Sequence, residues 1–129
     1  MTPFRFAAPL LALLAVPAAE ARQQPAPQRV DVAMSNFKFS PTTIRMKPGA
    51  AYVLHLTSSG SHSFEAKAFF AAAKVAPADR AKIAGGKVEV DSDAPVDIHF
   101  IAPAAGTYPV RCTHFLHASF GMTGQIVVG

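Results

Sequence analysis

The 129-residue chain has a single cysteine, Cys112, no apolar stretch long enough to cross a bilayer, and no run of lysines or arginines. Each shortage excludes something. One thiol cannot close an intrachain disulfide, so the fold must stand on its core alone. The apolar stretch from Phe6 to Ala19 is broken by Pro9 and Pro17 and falls short of the roughly 20 residues a spanning helix needs. It follows Arg5 and precedes Ala19-Glu20-Ala21, the pattern of a secretory signal peptide over residues 1–21 with cleavage after Ala21. The chain is therefore expected to be exported to the periplasm, with no membrane span in its mature part. Twelve basic and eight acidic residues give a formal charge of +4, which losing Arg5 and Glu20 leaves unchanged. The basic residues are scattered, which argues against a nucleic-acid groove.

Residues 22–29, rich in Gln and Pro, read as a flexible linker, and residues 30–129 as one domain. Tyr52, Leu54 and Leu56 alternate with Val53 and His55, and Val96, Ile98 and Phe100 with Asp97 and His99, as half-buried strands do. Short runs of this kind recur between Pro and Gly turns, seven or eight in all. That spacing predicts an all-β sandwich with Greek-key connections. The exception is residues 66–86, rich in alanine and interrupted by Pro77, which predict a short helical insertion of two turns or one broken helix ending at Gly85-Gly86. Phe69 and Phe70 are expected to bury it against the sheet.

A lone thiol in an oxidising compartment needs burial, a partner, a catalytic role or a metal. Cys112 stands in "CTHFLHASFGM", with four residues between it and His117 and four more before Met122. Thiolate and thioether together favour copper, since zinc and iron sites rarely recruit methionine. Two histidines, one cysteine and a distant axial methionine make the blue-copper arrangement, so one more histidine is needed. His62, just past the turn at Gly60, is the best-placed candidate if the intervening strands run up and down. His55 and His99 fall on the outward sides of strands and read as surface residues; His114, inside the loop, reads as a solvent-facing neighbour or a weak secondary contact.

On "SHSF" with His62 and "CTHFLHASFGM" with Cys112, His117 and Met122, the chain resembles the cupredoxins, the plastocyanin and azurin family, over residues 30–129. The four residues after Cys112 resemble the azurin-type loop; the four after His117 and the closing "GMTGQIVV" resemble multicopper oxidases and copper nitrite reductases. The resemblance implies one type 1 copper ion and a monomeric soluble electron carrier, not an enzyme. It also implies redox partner proteins that dock transiently on the apolar surface around His117, formed by Phe115, Leu116, Ala118 and Phe120. Oxidases of this kind pass electrons on through histidines flanking the cysteine, but Arg111 and Thr113 stand there. Ser63 replaces the asparagine common in the family after the first histidine. A hydroxyl bond from Ser63 to Thr113, aided by backbone N–H groups, is expected in its place.

Two other functions remain in view. Copper storage or delivery would be favoured if His114, Met34 and Met46 clustered near the site. A thiol enzyme would use Cys112 as nucleophile and His117 or His114 as base, but the sequence offers no evident third group.

Overall fold

The computed structural model describes residues 3–4, 11–15 and 26–129. The signal cleavage site and residues 22–25 of the expected linker lie outside the described residues. Among those described, no helix is long and apolar enough to cross a membrane.

Among the described residues, ten strands form two five-stranded mixed sheets packed face to face: β1 (Gln28–Ser35), β2 (Lys38–Ser40), β3 (Thr43–Met46), β4 (Ala51–Ser58), β5 (His62–Glu65), β6 (Lys74–Val75), β7 (Lys87–Val90), β8 (Val96–Ile101), β9 (Gly106–Arg111) and β10 (Thr123–Val128). One sheet runs in the order β2-β1-β4-β8-β6, the other β3-β10-β9-β5-β7. This is the expected Greek-key sandwich. β1 pairs with β4, and β3 with β10, in parallel, which needs the long connections of such a fold. β1 begins at Gln28, two residues before the expected boundary, because Gln28 and Arg29 extend the parallel ladder opposite Tyr52 and Val53.

The alternation seen in the sequence sets the core. Tyr52, Leu54, Leu56, Ile98 and Phe100 point inward from one sheet, and Phe64, Val88, Val90, Val110 and Ile126 from the other. Val96 packs partly buried against them. Gly124 lets β10 and the β2–β3 connection come together, since a Cβ there would lie 2.6 Å from the Thr42 carbonyl oxygen.

The insertion is two helical pieces with a strand between them. Helix α1 (Lys67–Ala72) buries Phe69 and Phe70, the 3-10 helix Pro77–Lys82 starts at its proline, and β6 lies between. Asp79 pins this 3-10 helix to β8. Its buried carboxylate accepts from Lys82 Nζ at 2.7 Å, and from His99 N and Nδ1 at 2.8 Å. Burial alone would raise its pKa, but the bonds from Lys82 and His99, and the charge of Lys82, lower it from 3.8 to about 2.

The run "SNFKFS" forms a hairpin between β1 and β2. Asn36 and Phe37 form a two-residue loop between Ser35 and Lys38, which face each other. Asn-Phe lacks the glycine that marks most such turns, so the sequence carried no signal for it.

Candidate metal centre

Three of the four candidate donors come from strand ends at one end of the second sheet. Cys112 follows β9 and Met122 precedes β10, and because Arg111 faces Thr123 across that antiparallel pair, Cys112 and Met122 stand opposite one another. The Cys112 N–H donates to the Met122 carbonyl at 3.1 Å, closing the base of the loop. His62 opens β5, which pairs with β7 through His62 and Val90 and meets β9 through Glu65 and Arg111. His62, Cys112 and Met122 are all fully buried.

His117 is presented by the loop itself. Its N–H donates to the His114 carbonyl and its own carbonyl accepts from the Met122 N–H, both at 3.0 Å. Leu116, just before it, sits in the left-handed region at φ 61°, a conformation that costs about 1 kcal/mol or more for a residue with a Cβ. The turn thereby aims the imidazole inward.

The structure gathers His62, Cys112 and His117, whose donor atoms all lie within 4.8 Å of one another. His62 Nδ1 and His117 Nδ1 are 3.2 Å apart; the Cys112 sulfur is 3.5 Å from His117 Nδ1 and 3.9 Å from His62 Nδ1. A point equidistant from three atoms so spaced lies about 2.1 Å from each, within the about 2.0–2.3 Å range of metal bonds to imidazole nitrogen and thiolate sulfur. The donor set thus fits a metal ion without rearrangement. Burial first, then the charges of His117 and His114, hold the His62 pKa below its ordinary value, so the ring stays neutral with a lone pair to give. Its Nε2 is buried with no hydrogen-bond partner among the described residues, a cost that a metal bond at Nδ1 would help offset.

Ser63 joins the two ligand-bearing segments. Its hydroxyl accepts from the Thr113 N–H at 2.7 Å and bonds the Thr113 hydroxyl at 2.8 Å. Its own N–H points to the Cys112 sulfur at 3.4 Å, and its hydroxyl lies 3.8 Å from that sulfur. The expected hydroxyl bridge is present, with the backbone N–H making the shorter of its two bonds.

The remaining histidines separate as expected. His55 pairs with Asp97 and His99 with Asp79, both on the outer face of the first sheet. His114 lies beside the site, its ring 5.4 Å from that of His117, with Nε2 held by Glu89 at 2.9 Å. Met34 and Met46 belong to the core. Two neighbours escaped the sequence reading: Glu89, which reaches His114 across the sheet, and Phe37, whose ring stands edge-on to His117 at 5.2 Å. Register puts them there, and a lone chain shows no register.

A buried cysteine sulfur and two imidazoles converging at the end of a two-sheet sandwich define a metal-binding β-sandwich protein. The sequence profile of the copper binding proteins of the plastocyanin/azurin family matches residues 26–129, so the chain belongs to that family and copper is its cofactor. A comparison with curated proteins finds no match. Among solved structures, the chain is similar to dithionite-reduced auracyanin from Roseiflexus castenholzii, with 20% identity over 81% of this chain and 98% of that one and a TM-score of 0.56. Auracyanin A of Chloroflexus aurantiacus, a "blue" copper protein, shows 19% identity over 81% and 100%, with a TM-score of 0.57. A laccase from Pediococcus acidilactici shows 16% identity over 91% of this chain but 31% of its own, with a TM-score of 0.61. At these identities the likeness is one of fold.

Proposed function

We propose that the protein is an exported, soluble electron carrier that holds one type 1 copper ion on His62, Cys112 and His117, with Met122 as a weak axial ligand. The observation that carries this reading is the ready-made triangle of donors beneath an exposed apolar collar. Copper held in this way supplies a one-electron couple whose two oxidation states both tolerate the same ligands. The chain contributes rigidity. Strand ends fix His62 and Cys112, the Ser63 bridge ties them together, and Met122 is zipped to Cys112 and His117 by backbone bonds. His117 alone is half-buried, so its ring is the shortest path between the site and the surface. Around it stand Phe115, Phe120, Leu116 and Phe37, which are 87%, 62%, 46% and 37% exposed. A collar of that kind suits brief docking of a redox partner, where fast release matters more than affinity.

The donor set counts against catalysis at the metal, because four protein donors leave no open position for a substrate. Arg111 and Thr113 flank Cys112 where an oxidase would carry relay histidines. The N-terminal pattern up to Ala21 supports delivery to the periplasm. Copper storage or delivery is the second reading. His114, close to the site, is its one support, because Met34 and Met46 are committed to the core.

The test is a titration of purified mature protein with Cu(II). The carrier reading expects saturation at one equivalent and intense visible absorption from thiolate-to-copper charge transfer, lost in Cys112→Ser, whose hard hydroxyl cannot replace the thiolate. Binding of further equivalents at comparable affinity would favour copper handling. Binding without that absorption would refute the type 1 site.

A further inference from the structure

The four candidate ligands are not equally secured. His62, Cys112 and Met122 are fully buried at strand ends, whereas His117 is half-buried on a loop whose preceding residue is held at a left-handed φ. Relaxing Leu116 would swing the imidazole outward, and among the described residues no backbone bond from His117 to a strand opposes it. Around His117 the backbone bonds run within the loop, His117 N to His114, Phe120 N to Leu116 and His117, Gly121 N to Ala118 and Met122 N to His117, while its first residue, Thr113, is tied to Ser63. On its inner side the ring's Nδ1 meets His62 Nδ1 at 3.2 Å and the Cys112 sulfur at 3.5 Å; its outer side needs support of its own.

Two residues from elsewhere in the fold support it, Glu89 through His114 and Phe37 by direct contact. Glu89 on β7 holds His114, whose ring lies 5.4 Å from His117 at a tilt of 36°. Phe37 comes from the opposite sheet. It projects from the tip of the β1–β2 hairpin, meets the His117 ring at 5.2 Å and 77°, and lies 5.1 Å from the Phe120 ring. An edge-to-face contact fixes the angle between the rings as well as their separation, unlike simple apolar cover. Phe37 keeps this place although more than a third of it faces solvent.

We propose that Phe37 is a positioning residue for His117: the hairpin of the first sheet reaches across the end of the sandwich and clamps the surface ligand in its metal-facing rotamer. The clamp rests on the assignment of His117 as a copper ligand made above. Its physical consequence is on release. With copper bound, His117 would be the ligand able to leave without unfolding a strand, so Phe37, by holding its ring, would slow release of the metal.

The experiment compares the parent, Phe37→Ala and Phe37→Tyr in two states. In copper-loaded protein, transfer of copper to an excess of a chelator should be about two- to tenfold faster in Phe37→Ala, the span that a single aromatic pair contact covers. Phe37→Tyr, which keeps the ring and directs its hydroxyl to solvent, should match the parent. In metal-free protein, NMR relaxation dispersion of the His117 ring carbons should show exchange in Phe37→Ala and none in the parent or Phe37→Tyr. Melting of the metal-free variants serves to detect a merely structural effect, which would lower stability without adding His117 exchange. Equal chelator rates and flat dispersion in Phe37→Ala overturn the clamp, as does Phe37→Tyr behaving like Phe37→Ala. A parent that binds no copper, with His117 exchange still appearing in Phe37→Ala, would refute the copper ligand set and leave the clamp standing.

Discussion

Replacing Ser63 by alanine removes one oxygen atom and leaves the backbone where it was. Ser63 is fully buried, and that oxygen accepts from the Thr113 N–H at 2.7 Å and shares a bond with the Thr113 hydroxyl at 2.8 Å. The Thr113 hydroxyl is half-buried and can turn to water, so its loss costs little. The Thr113 N–H has nowhere comparable to turn. A net loss of about 1 kcal/mol for the bond, plus the penalty for leaving a partly buried donor unpaired, puts the total at about 2 kcal/mol. Sequence reasoning alone suggests one hydrogen bond and about 1 kcal/mol; the second bond, to the backbone, raises it. For a domain near 100 residues, 2 kcal/mol corresponds to about 10 °C in melting temperature. The Ser63 N–H to sulfur contact survives the substitution, so copper should stay bound while electron self-exchange slows. Thr113→Val, which removes only the hydroxyl, should cost less than half as much. Melting of metal-free parent, Ser63→Ala, Thr113→Val and the double variant separates the two bonds. A Ser63→Ala melting point within 2 °C of the parent would mean that packing alone holds the two segments.

Three further outcomes are expected. Asp79 binds its proton less readily folded than unfolded, so its contribution of about 2 kcal/mol is complete above about pH 4 and lost as pH falls through about 2. The stability gap between parent and Asp79→Asn in denaturant titrations should therefore close across that window; a gap independent of pH would refute the assignment. Met122→Leu should keep copper with a raised reduction potential, because the axial bond is weak, and voltammetry reads the shift directly. Gly124→Ala should destabilise the domain by about 1–3 kcal/mol, since its Cβ meets the Thr42 carbonyl of a neighbouring segment; an unchanged denaturation midpoint would show that β10 can move aside.

Much of this protein is local, and so was readable in one dimension. The period-2 alternation of Tyr52, Leu54 and Leu56 depends only on which face of a strand meets the core, and the structure buries those three side chains. Cys112, His117 and Met122 lie within one loop, and their donor chemistry singles out copper before any fold is known. Pro77 and the Gly85-Gly86 pair punctuate the insertion because their backbone preferences are intrinsic. His62 depended on the strands running up and down, which the sandwich supplies by setting β5 beside β9. Other features arise from registers between segments far apart in sequence. Ser63 meets Thr113 across fifty positions, a bond that only the family resemblance led one to expect, whereas Glu89 reaching His114 from β7 and the hairpin tip at Phe37 arriving from the opposite sheet had no sign in the sequence. No propensity encodes such meetings. A strand's own residues decide which of its faces is apolar, but only its neighbours' hydrogen-bonded registers decide which side chain stands opposite which, and that is what surrounded the candidate ligands with their supports.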